Sequence, residues 1–366
     1  MDFGLSEPQL LLRDSIRSYA QRSLPVERVR TVMESETGTD REIHRELGDQ
    51  GIAGLVVAEP YGGVGLGLLD ATVAAQELAR AAAPVSYHSA YVMAPLLIAE
   101  AGNDEQRGKW LGGIADGKTL ISVVPGGPQL ADGKLNGRAM FVPDGQVADA
   151  FLVLTSDDGL ASGGGDGRLV FVPADRDGIR VTALPTIDDT RRIAELDFDG
   201  VTIDDEDFLA GAPAVETMAR AVDAGRVMLA ADAVGAAQQG LQIAVEYAKG
   251  REQFNRVIAS FQAVKHMCAE TIAEVDPVQS LLWYTAYAYD QGLDEAAHLV
   301  PSLKAHATET ATTATTTCTQ VFGGIGFTQE CDMNLYFKRA GYDRQMLGSP
   351  DEMRRLAAAV QFPLSG

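Results

Sequence analysis

The chain has 366 residues, of which 46% are hydrophobic and 22% are charged, and this size predicts more than one structural layer around a sizeable core. The formal net charge of −21 argues against nucleic acid as a ligand, because neutralising phosphates requires a cationic face. No apolar run reaches the roughly 18 residues of a membrane span. The first residues have no basic start and no apolar signal core, so we expect no secretion signal.

Residues 1–117 predict helices joined by loops. Residues 7–22 carry apolar side chains at helical spacing, and Ser6 followed by Gln9 is typical of a capping box. Residues 69–82 are rich in alanine, the strongest helix former. The glycines of residues 62–67 indicate a loop rather than a dinucleotide-binding turn, because no series of βαβ units follows them.

Residues 118–210 change to short runs that are typical of strands. The runs that fit a strand are residues 135–142, 151–155, 168–172, 179–184 and 193–198. Turn sequences such as Asp132-Gly133 separate them, and residues 162–167 indicate a loop tip. Because no helical pattern comes between the runs, we expect an antiparallel barrel or sandwich.

Long helices return from residue 211 onward. Residues 215–249 and 260–291 show sustained apolar periodicity, and Pro277 is expected to kink or start a helix. Residues 308–319 are rich in threonine and alanine, which predicts a tightly packed helix of small residues. The fold class is therefore α+β, with the order helices, strands, helices.

Neither the cysteines nor the histidines follow a metal-ligand pattern. The scattered Cys268, Cys318 and Cys331 indicate reduced thiols in a cytoplasmic protein. Only His298 and His306, eight residues apart on a predicted helix, come near ligand spacing, and a packed or solvated histidine is the more frequent case. We expect no metal site and no Ser/His/Asp or Cys/His nucleophile.

Two C-terminal segments carry side chains suited to a phosphate-bearing cofactor. Arg251 and Phe254 follow a long predicted helix, where a guanidinium could bond a pyrophosphate while a phenyl ring packs on an adenine or ribose. Gln320 precedes Gly323-Gly324, and glycines let the backbone approach a phosphate or a ring closely. Either segment alone is more often an ordinary surface arginine or a helix end.

Together the segments Arg251-Glu252-Gln253-Phe254 with residues 261–266, and residues 320–327, resemble the C-terminal hallmarks of the acyl-CoA dehydrogenases. These flavoproteins oxidise the Cα–Cβ bond of acyl-CoA thioesters. Residues 135–138 and 148–153 are similar to the family's central strands. The resemblance implies an N-terminal helical domain (residues 1–117), a middle antiparallel β-barrel domain (118–210) and a C-terminal four-helix bundle (211–366).

The resemblance also implies FAD as the cofactor. The positions that match FAD contacts of the family are Arg251, Gln253, Phe254, Ile258, Gln262, Gln320, Gly323 and Gly324. In the family, the FAD that these positions contact belongs mainly to the neighbouring subunit. We therefore expect this chain to hold the phosphate-and-adenosine tail of a partner's flavin.

The same resemblance places no catalytic base in the chain. Removing the α-proton requires a carboxylate, and Leu347 stands where the family usually has its glutamate. In relatives that place the glutamate directly before an arginine of the first bundle helix, Gly225 before Arg226 takes its position. Asp223 and Asp351 are nearby carboxylates, at other helical phases or offsets, that stay open as a displaced base.

The flavin-facing segment of the middle domain has changed as well. Active members carry a Thr-Glu-Pro-like stretch followed by Gly-Ser-Asp, whose hydroxyl and N–H groups bond the flavin ring. Here residues 123–129 read Val-Val-Pro-Gly-Gly-Pro-Gln, without a hydroxyl or an acid. The resemblance therefore implies a subunit whose own active site is incomplete.

These observations predict the non-catalytic subunit of a heteromeric acyl-CoA dehydrogenase that completes the FAD site of a glutamate-bearing homologue. We expect an α2β2 tetramer in the cytoplasm, with the acyl-CoA bound mainly by the partner. The arrangement resembles bacterial enzymes that act on CoA thioesters of steroid side chains. Two alternatives stay open. One is a self-sufficient homotetrameric flavoenzyme with an unusual base such as Asp223 or Glu216, or an oxidase or monooxygenase relative that needs no glutamate. The other is a non-enzymatic scaffold.

Overall fold

The computed structural model describes residues 4–156 and 167–362, which divide into two compact units. The helical unit contains residues 4–31, 68–83 and 226–362, and the sheet unit contains the described residues of 32–67 and 84–225. This division does not follow the predicted boundaries at residues 117 and 210, so the three-domain division stays a prediction. Most of the predicted loop tip, residues 162–166, lies outside the described residues.

The helices in the described residues are α1 (Glu7–Ser23), α2 (Val26–Glu34), α3 (Arg41–Asp49), α4 (Leu68–Arg80), α5 (Ala94–Ala101), α6 (Asp104–Ala115), α7 (Ala214–Gly250), α8 (Gln262–Asp290), α9 (Ala296–Phe322), α10 (Met333–Gln345) and α11 (Pro350–Gln361). Helices α1, α4, α7 and α8 match predicted segments to within two residues, whereas α9 begins twelve residues before the predicted segment 308–319. Pro277 lies inside α8 rather than at a helix start. In the described part of the chain, no helix is both long and apolar enough to cross a membrane.

A capping box explains where α1 begins, and small residues explain why α9 packs closely against its neighbouring helices. The backbone N–H of Ser6 donates to Gln9 Oε1 at 3.0 Å, which confirms the capping box. In α9, threonine hydroxyls such as that of Thr308 donate to the carbonyl four residues earlier, so the polar groups are satisfied within the helix. Small residues then allow close helix contact. The core they form contains Ala233, Ala237, Val275, Ala311, Ala314 and Ala340.

The sheet unit contains two four-stranded sheets. Its strands are β1 (Ile121–Val124), β2 (Gln129–Ala131), β3 (Lys134–Pro143), β4 (Ala150–Thr155), β5 (Arg168–Pro173), β6 (Ile179–Leu184), β7 (Ile193–Thr202) and β8 (Phe208–Leu209). One sheet has the order β1-β4-β5-β8 and the other β2-β3-β7-β6. Side chains from both sheets, including Leu135, Phe151, Val170 and Phe198, form one buried core.

The predicted antiparallel arrangement holds for every described pair of these strands except one. Strand β1 runs parallel to β4, with Ile121 opposite Ala150 and Val124 opposite Val153. Parallel neighbours need a longer connection than a hairpin, and here β2 and β3, which belong to the other sheet, provide it. All four residues of β1 are buried, so the strand lacks the alternation that would have revealed it in the sequence.

Candidate functional site

A short hairpin follows the end of α7 in the helical unit. Strand β9 (Glu252–Gln253) pairs with β10 (Arg256–Val257), and Phe254 and Asn255 form its tip with φ angles of 53° and 60°. Two consecutive positive φ values are typical of a type I′ turn, which asparagine tolerates and phenylalanine does not favour. The backbone N–H of Ile258 donates to Arg251 O at 2.8 Å and closes the base of the hairpin.

The hairpin presents its aromatic tip to solvent. Phe254 is 86% exposed and meets Phe261 edge to face, with ring centroids 6.1 Å apart. The guanidinium of Arg256 lies 4.0 Å from the centroid of the Phe261 ring, so Phe261 packs against the hairpin through both Phe254 and Arg256. Arg251 is also exposed. An exposed aromatic residue in a strained conformation beside an exposed arginine is more typical of a recognition surface than of a packing element.

The second predicted segment lies at the end of α9. Gly323 has φ 67° and ψ −144°, a conformation that disfavours side chains, and a turn of 3-10 helix continues to Phe327. A Cβ atom on Gly323 or Gly324 would meet no atom within 4 Å, so the outer side of this turn is open. Ile325 and Phe327 are 53% and 66% exposed, which adds apolar surface to the open side.

An aromatic stack joins the two segments. The ring of Tyr247, one turn before Arg251, stacks on Phe322, directly before Gly323, with centroids 4.3 Å apart and an interplanar angle of 21°. Gln262 is the first residue of α8 and Gln320 lies in the last turn of α9, and both are exposed. The structure thus brings all eight predicted residues to one end of the helical bundle, which we call the tail site.

Neither of the two predicted base positions carries an acid. Leu347 lies in the turn between α10 and α11 with φ 56°, and its carbonyl accepts a hydrogen bond from Arg226 Nε at 3.0 Å. Gly225 is buried within α7. Of the carboxylates left open, Asp351 is 84% exposed and pairs with Arg354, while Asp223 and Glu216 belong to the sheet unit.

A buried lysine that the sequence analysis did not single out supports the Leu347 turn. Lys304 Nζ donates to the carbonyl of Asp343 at 2.6 Å and to that of Gly348 at 3.3 Å. Burial lowers the pKa of Lys304 to about 8; the carboxylate of Asp343 opposes this shift, and the guanidinium of Arg226 adds to it. The side chains of Arg226 and Lys304 therefore stabilise this turn by donating to its backbone carbonyl groups, although the side chain at position 347 is apolar. This role of Lys304 is visible only in the folded structure, because the lysine and the turn are far apart in the sequence.

In the sheet unit, the segment after β1 uses its own backbone groups internally. Ser156 N–H donates to Pro128 O at 3.0 Å, and Leu130 N–H donates to Ser156 O at 3.2 Å. Gly127 has φ 118°, and a Cβ there would lie 2.7 Å from Arg138 O, so this turn packs tightly against β3. With no hydroxyl or acid in residues 123–128, the segment offers no side-chain hydrogen bonds to a flavin ring.

Metal chemistry has no support in the described residues. No group of three or more His, Cys, Asp or Glu side chains there could hold a metal ion. Cys318 is buried, and burial raises the pKa of its thiol to about 12, which keeps the sulfur protonated and unreactive at neutral pH.

Comparison with known proteins identifies the family. The acyl-CoA dehydrogenase N-terminal domain model matches residues 6–118, and the acyl-CoA dehydrogenase C-terminal domain model matches residues 215–362. The chain belongs to the acyl-CoA dehydrogenase family, and its helical N-terminal and C-terminal regions with sheets between them form the fold of that family.

Individual relatives agree with this assignment. The chain is 32% identical over 366 residues to acyl-CoA dehydrogenase IpdE2 of Mycolicibacterium smegmatis, covering 97% of this chain and 100% of the relative. Among solved structures it is similar to the ChsE4-ChsE5 complex from Mycobacterium tuberculosis, with a TM-score of 0.89, 27% identity and full coverage of both chains. It is also similar to a variant of the Tcur3481-Tcur3483 steroid ACAD, with a TM-score of 0.87, 27% identity and coverage of 97% and 98%.

Proposed function

We propose that this chain is the catalytically incomplete subunit of a heteromeric FAD-dependent acyl-CoA dehydrogenase. In this role it completes the FAD site of a homologous, glutamate-bearing partner in an α2β2 assembly. The observation that carries the proposal is a contrast within one structure. The tail site is assembled and open, whereas positions 347 and 225 hold leucine and glycine, which cannot accept a proton.

The chemistry explains why this contrast matters. Dehydrogenation of an acyl-CoA thioester needs a carboxylate that takes the α-proton while a hydride leaves Cβ. FAD, when bound, supplies the acceptor for that hydride. Leu347 and Gly225 leave the proton without an acceptor at either usual position, so the carboxylate must come from the partner.

The tail site fits the pyrophosphate and adenosine of a flavin. The exposed guanidinium of Arg251 would donate charge-assisted hydrogen bonds to a pyrophosphate, and the exposed ring of Phe254 would pack on the adenine or ribose. The open side of Gly323-Gly324 would allow close approach of the backbone, with Gln320 and Gln262 as amide donors. Residues 123–128, by contrast, do not fit the flavin ring.

The relatives support a heteromeric assembly and a steroid-related substrate. ChsE4-ChsE5 is a complex of two named components, and the Tcur3481-Tcur3483 enzyme is a steroid ACAD with two named components. We therefore propose a CoA thioester of a steroid side chain as the substrate class, bound mainly by the partner, and a cytoplasmic location.

The test is flavin retention by the complex co-expressed with a glutamate-bearing homologue. Arg251→Ala should lower FAD affinity at least about tenfold, because a hydrogen bond to a charged group contributes about 1.5–3 kcal/mol. The flavin absorbance per complex after gel filtration measures the loss. Arg220→Ala, which removes an exposed arginine paired with Glu100, is the matched control and should keep its flavin.

Two outcomes would reject the proposal. Unchanged flavin content in the Arg251→Ala complex would favour a scaffold that only kept the fold. A chain that is yellow when expressed alone and reduces ferrocenium with acyl-CoA would be a self-sufficient enzyme with a displaced base such as Asp223 or Glu216.

A further inference from the structure

A cavity of about 360 Å³ lies in the helical unit, and none of its lining residues belongs to the tail site. Residues of α1, α2, α4, α7 and α10 line it. Ligand pockets of proteins have volumes of roughly 300–1,000 Å³, so this cavity is large enough for a small organic molecule. Its wall contains both charged and apolar side chains.

The charged part of the wall contains two arginines and one carboxylate. Glu77 is only 5% exposed, and both of its oxygens accept hydrogen bonds from Arg17, at 2.8 Å from Nε and 2.7 Å from Nη2. The second arginine, Arg80, has its Nε atom 3.9 Å from Glu77 Oε2, which is too long for a hydrogen bond. The bidentate pair with Arg17 therefore satisfies Glu77 and leaves the Arg80 charge poorly compensated.

Arg80 retains hydrogen-bonding capacity toward the cavity. Its Nη2 donates to Gln242 Oε1 at 2.6 Å, and its other N–H groups have no protein acceptor among the described residues. The side chain is 19% exposed, and burial lowers the pKa of its guanidinium, an effect that Glu77 opposes and the charge of Arg17 reinforces. Tyr336 Oη donates to Arg80 O at 2.8 Å and fixes the backbone beneath it.

The rest of the wall includes apolar side chains. Leu24, Pro25 and Val26, where α1 passes into α2, line the cavity together with Ala20 and Ala81. A molecule held here would therefore meet an incompletely neutralised guanidinium on one part of the wall and hydrocarbon on another. A free inorganic anion would use only the first part, and a neutral apolar molecule would use only the second.

We propose that this cavity binds a small amphipathic carboxylate, with its carboxylate on Arg80 and its short apolar body against Leu24, Pro25 and Val26. Because Glu77 is already paired with Arg17, Arg80 is the charged group of this wall that is suited to an anion. The proposal does not depend on the FAD-completing function, since the tail site shares no residue with this cavity.

The probe for the test is hexanoate, titrated calorimetrically into the purified full chain, both alone and in the co-expressed complex. Hexylamine carries the same apolar chain with the opposite charge, and inorganic phosphate carries the charge without the chain. We expect hexanoate to bind, hexylamine not to bind, and phosphate to bind at least tenfold more weakly than hexanoate. The Arg251→Ala complex should bind hexanoate as the wild type does, which separates this test from the flavin test.

Two variants assign the binding to Arg80. Arg80→Gln should weaken hexanoate binding at least tenfold. Gln242→Glu keeps the arginine but places a carboxylate within hydrogen-bonding reach of it, so it should also abolish hexanoate binding while raising the thermal midpoint. Gln242→Glu therefore decides the question even if Arg80→Gln fails to fold, and Arg220→Gln is the arginine control.

Three results would overturn the proposal. They are unchanged hexanoate affinity in Gln242→Glu, binding of hexylamine equal to that of hexanoate, and phosphate binding as tight as hexanoate binding.

Discussion

Phe254 combines two properties that a purely structural residue would not keep. Its φ of 53° is unfavourable for a side chain of this size, and its ring is 86% exposed, so neither backbone preference nor burial stabilises it there. Its neighbour Asn255 has almost the same backbone conformation, at φ 60°, but is not among the residues predicted to contact FAD. Substitutions at Phe254 and Asn255 therefore separate the effect of backbone strain from the effect of the aromatic ring on FAD binding.

Phe254→Gly should raise the free energy of unfolding by about 1 kcal/mol, because glycine relieves the positive φ at little packing cost. The same substitution should lower flavin retention by the complex, since the adenine would lose its aromatic surface. Asn255→Gly should give a similar or smaller stabilisation and leave the flavin in place. Urea denaturation and flavin absorbance measure the two effects. Flavin loss in both variants, or in neither, would contradict a specific role for the ring.

His44 is a second residue whose environment sets a measurable property. It is fully buried, its Nδ1 lies 2.6 Å from Tyr91 Oη, and its Nε2 has no partner among the described residues. Burial lowers its pKa to about 3; the nearby charge of Arg41 adds to this, and Asp40 and Asp149 oppose it. The folded state therefore contains a neutral imidazole, whereas the unfolded chain takes up a proton near pH 6.5.

The sign of the pH effect follows from linkage. Below pH 6.5 the unfolded state binds the proton and the folded state does not, so stability should fall by about 1.4 kcal/mol per pH unit, or about 2 kcal/mol between pH 6.5 and 5. His44→Phe should remove this part of the acid sensitivity, at a constant cost from the lost Tyr91 contact. Denaturation midpoints at pH 7 and pH 5 measure it, with the exposed His306→Gln as control. An equal slope in wild type and His44→Phe would refute the assignment.

At the scale of elements, the turn after α9 separates glycines that pack from glycines that face outward. A Cβ on Gly326 would lie 2.7 Å from Thr319 O and 2.9 Å from Phe322 Cβ, whereas a Cβ on Gly324 would meet nothing within 4 Å. The same short turn thus contains one position that the fold requires to be glycine and one at which an added methyl group is sterically free.

Gly326→Ala should destabilise the chain by about 1–3 kcal/mol through overpacking at the end of α9. Gly324→Ala should change stability by less than about 0.5 kcal/mol, as expected for an open surface position, yet it should weaken flavin retention if the backbone there approaches the cofactor. Thermal denaturation of the two variants, followed by flavin content of the complexes, distinguishes the two roles. A stable Gly326→Ala variant would show that the turn can shift to relieve the contact.

At the scale of the whole molecule, two separate deficits stand against independent catalysis. The Leu347 turn is held by Arg226 and Lys304 but has no acid, and residues 123–128 of the sheet unit have no side-chain donors for a flavin ring. Restoring the acid alone corrects only the first deficit. The two deficits can therefore be tested one at a time.

Leu347→Glu should leave the chain alone colourless and without ferrocenium reduction above background, because no flavin ring would be held in position for the new carboxylate. The assay uses the full chain with added FAD and acyl-CoA, next to wild type. Circular dichroism confirms folding, since position 347 has a positive φ that glutamate does not favour. Turnover by Leu347→Glu alone would show that the chain holds a complete flavin and would overturn the non-catalytic assignment.

Patterns along the sequence predicted the longer helices, five of the eight strands of the sheet unit, the family resemblance and the absence of an acid at position 347. Helix caps, apolar periodicity and turn residues act over a few positions, so the linear pattern contains them. The eight predicted tail-site residues could also be named in advance, because each one matched a motif that can be read along the chain.

Contacts between residues that are distant in the sequence became visible only in the folded chain. The parallel pairing of β1 with β4, the stack of Tyr247 on Phe322, and the support of the Leu347 turn by Lys304 join residues that are far apart in sequence. The choice of Arg17 over Arg80 as the partner of Glu77 depends on the side-chain geometry of the folded state. Such pairings follow from packing and burial, which the local chemistry of a segment does not specify.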